Sequence, residues 1–513
     1  MAETLRGLLS PHPADAPAIG APGRDWLTYG DLRDMTEAVA TRLYSVGIGR
    51  GDRVAIVLPN GPEMACAFLT IGQIAITAPL NPAYREDEFA FYLEDLRAKA
   101  IVVADGDTGP AVAAANSFGL TVLRLKADPD GPAGAFTLTA ERGHGTADHT
   151  APEGHSVALI LHTSGTTSRP KIVPLQQANI AASAKHIRDC LELTPDDRCL
   201  NIMPLFHIHG LIAAITSSLA AGASVCCTPG FDALRFFTWL SDVKPTWYTA
   251  VPTMHQAILA RAPRNKEAVA NANLRFLRSS SASLPAQVML ALNDTFGAPV
   301  IESYGMTEAA HQMASNPLPP RAQKPGSVGV EAGPLVRIAD EARNTLMTGD
   351  AVGEVVISGP NVTPGYEGNP DANEKSFFMA DGMRWFRTGD EGTLDEEGYL
   401  RLTGRLKEII NRGGEKVSPL EVDGVLMDHP DIAQVVTFAM PHPKLGEEVA
   451  AACVLRDGAS ATEKDIRAFA AERVADFKVP RRVVILDEIP KGATGKLQRI
   501  GLADKLGLGA DRA

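Results

Sequence analysis

Basic charge is in short supply in this 513-residue chain. Lysine and arginine total 49 against 61 aspartates and glutamates, a formal net charge of −12, with no basic tail or stripe. That balance excludes nucleic acid or an anionic membrane as the expected partner, and any cations around a polyphosphate must be local. Cysteine is sparse too. The six (Cys66, Cys190, Cys199, Cys226, Cys227 and Cys453) show no C-x-x-C pair and no metal-ligand spacing, which points to a reducing, cytoplasmic setting. The first residues lack the basic and apolar stretches of a secretory leader, and residues 510–513 carry no peroxisomal tripeptide. A spanning hydrophobic run is missing as well. Residues 210–227 are uncharged, but Thr216, Ser217, Ser218, Gly222 and Ser224 dilute them, and no lysines or interfacial aromatics flank them. A buried core helix running into a strand is expected there, not membrane insertion.

What is present is a large soluble core: 45% apolar and 21% charged residues over a length that implies two to four units. Leu32, Met35, Val39 and Leu43 mark one helix face, and the run Val54-Ala55-Ile56-Val57-Leu58 is a buried strand. An apolar helix over residues 64–76 and a strand at Ile101-Val102-Val103 follow, a repetition that predicts parallel sheets covered by helices. Residues 105–154, rich in Ala, Gly, Pro and Asp, read as a loop-rich passage. From 326 to 402 short β runs cut by Gly and Pro suggest an antiparallel or barrel-like unit. The texture changes again near Gly404, and a compact α/β tail runs to about residue 500. No internal repeat is evident.

The most informative segment is Leu161-His162-Thr163-Ser164-Gly165-Thr166-Thr167-Ser168-Arg169-Pro170-Lys171, straight after the apolar run Val157-Ala158-Leu159-Ile160. A buried strand delivering hydroxyls, a glycine and a lysine reads as a phosphate-handling turn. It is not a Walker A loop: Pro170 has no N–H where that loop has glycine, and Ile172 cannot hold magnesium where it has Ser or Thr. The bland alternative is a polar surface loop.

Four more segments carry chemistry. In Glu302-Ser303-Tyr304-Gly305-Met306-Thr307-Glu308 an aromatic beside a glycine suits stacking on a base, with Thr307 and Glu308 available to a phosphate and its magnesium; a core tyrosine and a helix-capping Glu308 are the structural alternative. Thr388-Gly389-Asp390 puts a carboxylate in a tight turn, to hold a ribose diol or simply to form the turn. Thr403-Gly404-Arg405-Leu406-Lys407 is a charged joint, and Gly492-Ala493-Thr494-Gly495-Lys496 places a lysine on a flexible loop.

In this order and over nearly the whole length, the chain resembles the adenylate-forming superfamily of acyl-CoA synthetases, peptide-synthetase adenylation domains and beetle luciferases. The resemblance implies an α/β protein: a large N-terminal domain (1–403) of helix-covered mixed sheets plus a β-barrel-like subdomain, a hinge (404–407) and a small mobile α+β C-terminal domain (408–513). It implies adenylation of a small carboxylic acid by Mg²⁺-ATP, with release of pyrophosphate, then displacement of AMP by coenzyme A. Thr163, Ser164, Gly165, Thr166, Thr167 and Lys171 would cradle the β- and γ-phosphates. Ser281, Ala282 and Ser283 with Glu302, Ser303 and Tyr304 would sandwich the adenine. Thr307 would meet the α-phosphate, Glu308 the Mg²⁺, Asp390 the ribose, and Arg405 ribose or phosphate. Lys496 would bridge α-phosphate and substrate carboxylate. Lys407 would be the hinge, and rotation about it would bring Gly413, Gly414 and Glu415 to the CoA tunnel.

Ser168-Arg169, Met203-Pro204-Leu205-Phe206-His207-Ile208-His209-Gly210, Arg278-Ser279-Ser280-Ser281-Ala282-Ser283 and Met306-Thr307-Glu308-Ala309-Ala310-His311 are similar to the oxalyl-CoA synthetase branch, although Ile172 departs even from that version. A dicarboxylate pocket must satisfy a second charge. His207, Ser281 and His311 are therefore expected to contact the distal carboxylate of oxalate, with His207 also counted among the catalytic groups. Malonate, aromatic and medium-chain fatty acids, or loading of a carrier protein by a stand-alone adenylation enzyme, are the alternatives. A monomer or homodimer is expected.

Overall fold

The computed structural model describes residues 3–140, 146–163, 170–340, 344–347, 349, 351–491 and 497–509. A seven-stranded sheet runs in the order Phe136–Ala140, Thr121–Ala127, Ala100–Ala104, Arg53–Val57, Ile76–Pro79, Val157–Thr163, Lys171–Gln176. Its middle pairs are parallel, and its two edge pairs are antiparallel. Val54, Ile56, Ala100 and Val102 join one apolar cluster, whereas Ala55, Val57, Ile101 and Val103 join another. Both faces are covered, so the strands read as unbroken apolar runs rather than alternating ones.

A nine-stranded sheet has the order Val330–Glu331, His311–Ser315, Val300–Met306, Phe276–Ser280, Trp247–Ala250, Arg198–Asn201, Ser224–Cys227, Pro17–Gly20, Leu27–Thr28. Cys199, Trp247, Phe276 and Ile301 face the cluster shared with the first sheet, and Leu200, Tyr248, Leu277 and Val300 face the opposite one. The uncharged segment is the expected core helix and strand: a π-helical stretch His209–Thr216, a turn of α-helix Ser217–Ala220, then Ser224–Cys227, all buried. Its hydroxyls are absorbed by the preceding turns, with Thr216 donating to the Leu211 carbonyl and Ser217 to that of Ala213, each at 2.7 Å. No described helix is long and apolar enough to cross a membrane.

Two expectations are corrected. The passage 105–154 is not loop-rich throughout, because it holds the helix Pro110–Ser117 and the strands Thr121–Ala127 and Phe136–Ala140. Val122, Leu123, Leu125, Phe136 and Leu138 are buried, so packing organises a stretch whose Gly and Pro content suggested none. The helix expected over 64–76 is Pro62–Ile71, closed at Gly72, and Ile76 already opens a strand.

The antiparallel unit matches expectation: Thr345–Met347, Leu335–Asp340, Gly353–Ser358 and Met383–Leu394, with Phe377–Ala380 and Leu400–Arg405 both paired to Met383–Leu394. Beyond it, Ile410–Arg412, Glu415–Val417, Ile432–His442, Gly446–Leu455 and Arg482–Ile485 form a sheet with helices Pro419–Met427 and Glu463–Ala471. The apolar clusters of this unit draw on no residue before Ile410.

Candidate active site

Thr163 and Lys171 pair in register and close the hairpin that carries the hydroxyl-rich loop. Ser164, Gly165, Thr166, Thr167, Ser168 and Arg169 lie outside the described residues. Ile172 sits one step down the hairpin with its side chain in the apolar cluster of Ile160 and Val57, while its carbonyl accepts from the Glu367 amide at 3.1 Å. It is a core residue of a strand, which accounts for isoleucine there. Lys171 Nζ lies 4.2 Å above the Tyr366 ring, and the Tyr366 hydroxyl donates to Glu308 Oε1 at 2.8 Å. Burial lowers the Lys171 pKa, Glu308 pulls it up and Lys407 pushes it down, so these three groups sense one another. Burial also raises the Glu308 pKa, against Tyr366, Lys171 and Arg405. Thr307 and Glu308 begin a short 3₁₀ turn (Thr307–Ala309) at the end of Val300–Met306, so Glu308 is not at the start of an α-helix.

On the other side of Tyr304, Asp390 stands in the interior of the long strand Met383–Leu394, in register with Arg405. Arg405 Nε lies 3.0 Å from Asp390 Oδ1, and the Tyr304 hydroxyl donates to Oδ2. Asp390 raises the Arg405 pKa, and burial with the adjacent Asp390 charge raises that of Tyr304. Ala282 and Ser283 are exposed just past the strand Phe276–Ser280. Ser303 faces Ser315 across 2.9 Å. Glu302 is buried: one oxygen accepts from the Leu284 amide at 2.8 Å, the other has no hydrogen-bond partner, and burial pushes its carboxyl up to about 8.

A polar network lies under the first turn of His209–Thr216. His209 Nδ1 is 3.0 Å from Ser281 Oγ, and its Nε2 is 2.6 Å from Thr249 Oγ1. Arg278 reaches both Thr249 Oγ1 and His209 Nε2 at 3.4 Å through Nη1, and donates through Nη2 to Gln312 Oε1 at 3.0 Å. Gln312 in turn donates to Cys190 Sγ at 3.0 Å. The His209 and His311 rings are 5.1 Å apart. His207 lies at the edge of this group, where its Nδ1 accepts from the His209 amide at 3.3 Å. Thus Ser281 and His311 meet around His209, with His207 next in line.

At the joint, Leu406 donates its amide to the Gly389 carbonyl at 2.9 Å and Lys407 is exposed. Arg499 ties Glu408 to Asp423 at 3.4 and 2.6 Å. Gly413 and Gly414, both at positive φ, form the two-residue turn between Ile410–Arg412 and Glu415–Val417. Lys496 lies outside the described residues. Among those described, no cluster of three or more His, Cys, Asp or Glu could hold a metal. Glu308, the carboxylate beside Lys171 and Tyr366, suits a magnesium that arrives on nucleotide phosphates rather than one caged by protein.

Residues 9–367 match the profile of the AMP-binding enzyme family, and 421–496 match that of the AMP-binding enzyme C-terminal domain. The chain belongs to the AMP-binding enzyme family. It is 45% identical over 511 residues to the oxalate–CoA ligase of Arabidopsis thaliana, covering 97% of each chain. It is 41% identical over 522 residues to the oxalate–CoA ligase of Saccharomyces cerevisiae, covering 96% of this chain and 95% of the relative. The ATP-bound crystal structure of MatB from Rhodopseudomonas palustris superposes with a TM-score of 0.87 at 29% identity, over 98% of this chain and 99% of that one.

Within this family member, sequence reasoning overlooked His209, Thr249, Arg278, Gln312 and Tyr366. His209 and Arg278 stood inside motifs quoted for their resemblance to the oxalyl-CoA synthetase branch, but were given no role of their own. Thr249, Gln312 and Tyr366 carry no local signal, because they reach the site through strand pairing and through a loop 58 residues after Glu308.

Proposed function

We propose that the protein is an ATP-dependent oxalate–CoA ligase, converting oxalate, ATP and CoA to oxalyl-CoA, AMP and pyrophosphate. The carrying observation is the network His209–Ser281–His311 backed by the buried Arg278, a polar, cationic lining suited to an acid with a second charge and ill suited to an apolar chain. The oxalate–CoA ligases among the relatives support the same reading.

In the first half-reaction an oxalate oxygen attacks the α-phosphorus, forming the acyl-phosphate anhydride and expelling pyrophosphate. Thr163 and Lys171, with residues 164–167, hold the β- and γ-phosphates; Tyr304, Glu302, Ser303 and residues 281–283 flank the adenine; Asp390 takes the ribose hydroxyls, oriented by Tyr304 and Arg405. Thr307 meets the α-phosphate, and Lys496 draws it toward the acid. Glu308 and the nucleotide phosphates would hold magnesium, which would supply charge neutralisation. Bringing two anions together is the main barrier, and preorganised cations and hydroxyls lower it. In the second half-reaction the CoA thiolate attacks the acyl carbon, a C–S bond forms, and AMP leaves. The unit from residue 408 turns about Lys407, between domains 1–403 and 408–513, and presents Gly413, Gly414 and Glu415 to pantetheine.

AMP release by purified protein with ATP and CoA, compared across oxalate, malonate, a cinnamate-type acid and fatty acids, tests the reading. Turnover of oxalate above the others is expected. Turnover confined to long-chain acids, or acylation of a carrier protein without CoA, would sink it.

A further inference from the structure

Arg278 is an anomaly for a strand interior. It is 0% exposed, yet no carboxylate pairs with it among the described residues; its partners are Thr249, His209 and Gln312, and its Nε has none. The side-chain charges that act on it are those of the Cys190 and Cys199 thiols. Burial pushes Cys190 up to about 11 and raises Cys199 well above the usual thiol range, so both are neutral at physiological pH. A buried guanidinium without a counter-charge is costly unless an anion arrives to complete the site.

The hydrogen bonds also have a direction. Arg278 offers only donors, so Nη1 donates to both Thr249 Oγ1 and His209 Nε2; with Nε2 the accepting nitrogen, the neutral His209 ring is assigned its proton on Nδ1, which then donates to Ser281 Oγ. The Ser281 hydroxyl proton is thereby turned away from the network. Of Arg278, Thr249, His209 and Ser281, only Ser281 is not fully buried, and its φ of +75° lifts it off the strand end.

We infer that Arg278 is the residue that makes the site select a doubly charged acid: it is the counter-charge for the carboxylate that is not adenylated, and it orients Thr249, His209 and Ser281 so that Ser281 donates to that carboxylate. Oxalate keeps one carboxylate through both half-reactions, so the same counter-charge serves substrate, adenylate and product. This role rests on the oxalate reading above.

Oxamate, in which one carboxylate is replaced by a neutral amide, separates charge recognition from general integrity. Arg278→Gln is expected to raise the KM for oxalate roughly 10–100-fold, the range for a hydrogen-bonded charged group, while the Ki of oxamate changes less than about 3-fold and the KM for ATP is unchanged. Arg278→Lys should recover most of the oxalate affinity. Gln312→Glu leaves Arg278 in place but sets a carboxylate on its Nη2, and should erase the preference for oxalate over oxamate in the same way. That second variant answers the question even where Arg278→Gln does not fold. Oxalate and oxamate weakening in step, or Gln312→Glu keeping the wild-type preference, would overturn the role of Arg278. Wild-type protein inert toward oxalate would overturn the functional reading itself.

Discussion

The Tyr366 hydroxyl donates a 2.8 Å hydrogen bond to Oε1 of the buried Glu308 carboxylate. Burial raises the Glu308 pKa, and Tyr366 is the largest influence opposing it. Removing the hydroxyl in Tyr366→Phe therefore raises that pKa further and leaves less carboxylate for a nucleotide-borne magnesium. The acidic limb of kcat/KM for Mg²⁺-ATP should move to higher pH, with a loss of about 1–2 kcal/mol of transition-state stabilisation near neutrality. Oxalate-dependent pyrophosphate exchange measured across pH checks this; an unmoved acidic limb would show that Glu308 does not govern it.

Asp390 holds Tyr304 and Arg405 together from one carboxylate. Asp390→Asn keeps the shape but removes the charge. ATP should bind roughly 10–100-fold more weakly, the usual range for losing hydrogen bonds to a charged group. Because Arg405 is half-exposed, the stability loss should stay near 1 kcal/mol. Nucleotide titration beside a thermal melt separates the two effects.

Glu302 has a folded pKa of about 8 against an ordinary 4.5, because burial disfavours its charge. A raised carboxyl contributes stability that is full below pH 4.5 and is lost as pH rises through 8. In Glu302→Gln, the amide oxygen still accepts from Leu284 without ionising. The variant should therefore show a flatter stability profile between pH 4.5 and 8, and exceed the wild type at pH 8.5 by on the order of 1–3 kcal/mol. Urea midpoints at pH 5, 7 and 8.5 decide it.

A Cβ built at Gly305 would fall 1.8 Å from the His311 carbonyl oxygen and 3.0 Å from its ring. Backbone, not a movable side chain, occupies that space. Gly305→Ala should cost about 1–3 kcal/mol of stability and weaken oxalate binding by displacing His311. Wild-type melting and an unchanged KM for oxalate would contradict this packing.

The α/β alternation was legible because residues 54–58 and 101–103 are buried on both faces and need no partner to show their pattern. The strands at Thr121–Ala127 and Phe136–Ala140 were not, since neighbouring Gly, Pro and Asp mask a short pattern that only packing enforces. The site divides the same way. Asp390, Arg405 and Tyr304 stand in local motifs, and the fold brings them into contact. The network around Ser281 draws on strand pairing: Thr249 stands in register with Arg278 on a neighbouring strand, and Gln312 comes from the strand that folds back beside Gly305. Nothing in the sequence near Ser281 announces those neighbours.

Gly413 and Gly414, at φ +60° and +99°, make the tight turn of an exposed hairpin, held by the Leu445 carbonyl at 2.9 Å and Asn411 Oδ1 at 3.1 Å. A Cβ built at Gly413 would meet Leu445 and one at Gly414 would meet nothing within 4 Å among the described residues, so damage there is expected to separate the half-reactions. A β-branched side chain is strained at positive φ, and Gly414→Val must distort the turn at about 1–2 kcal/mol. Oxalate-dependent pyrophosphate exchange should stay within about 2-fold of wild type, because it reports adenylation alone. CoA-dependent AMP release should fall at least about 10-fold, consistent with even a 1.4 kcal/mol penalty on docking pantetheine. Equal loss in both assays would remove Gly413, Gly414 and Glu415 from the thioester-forming step.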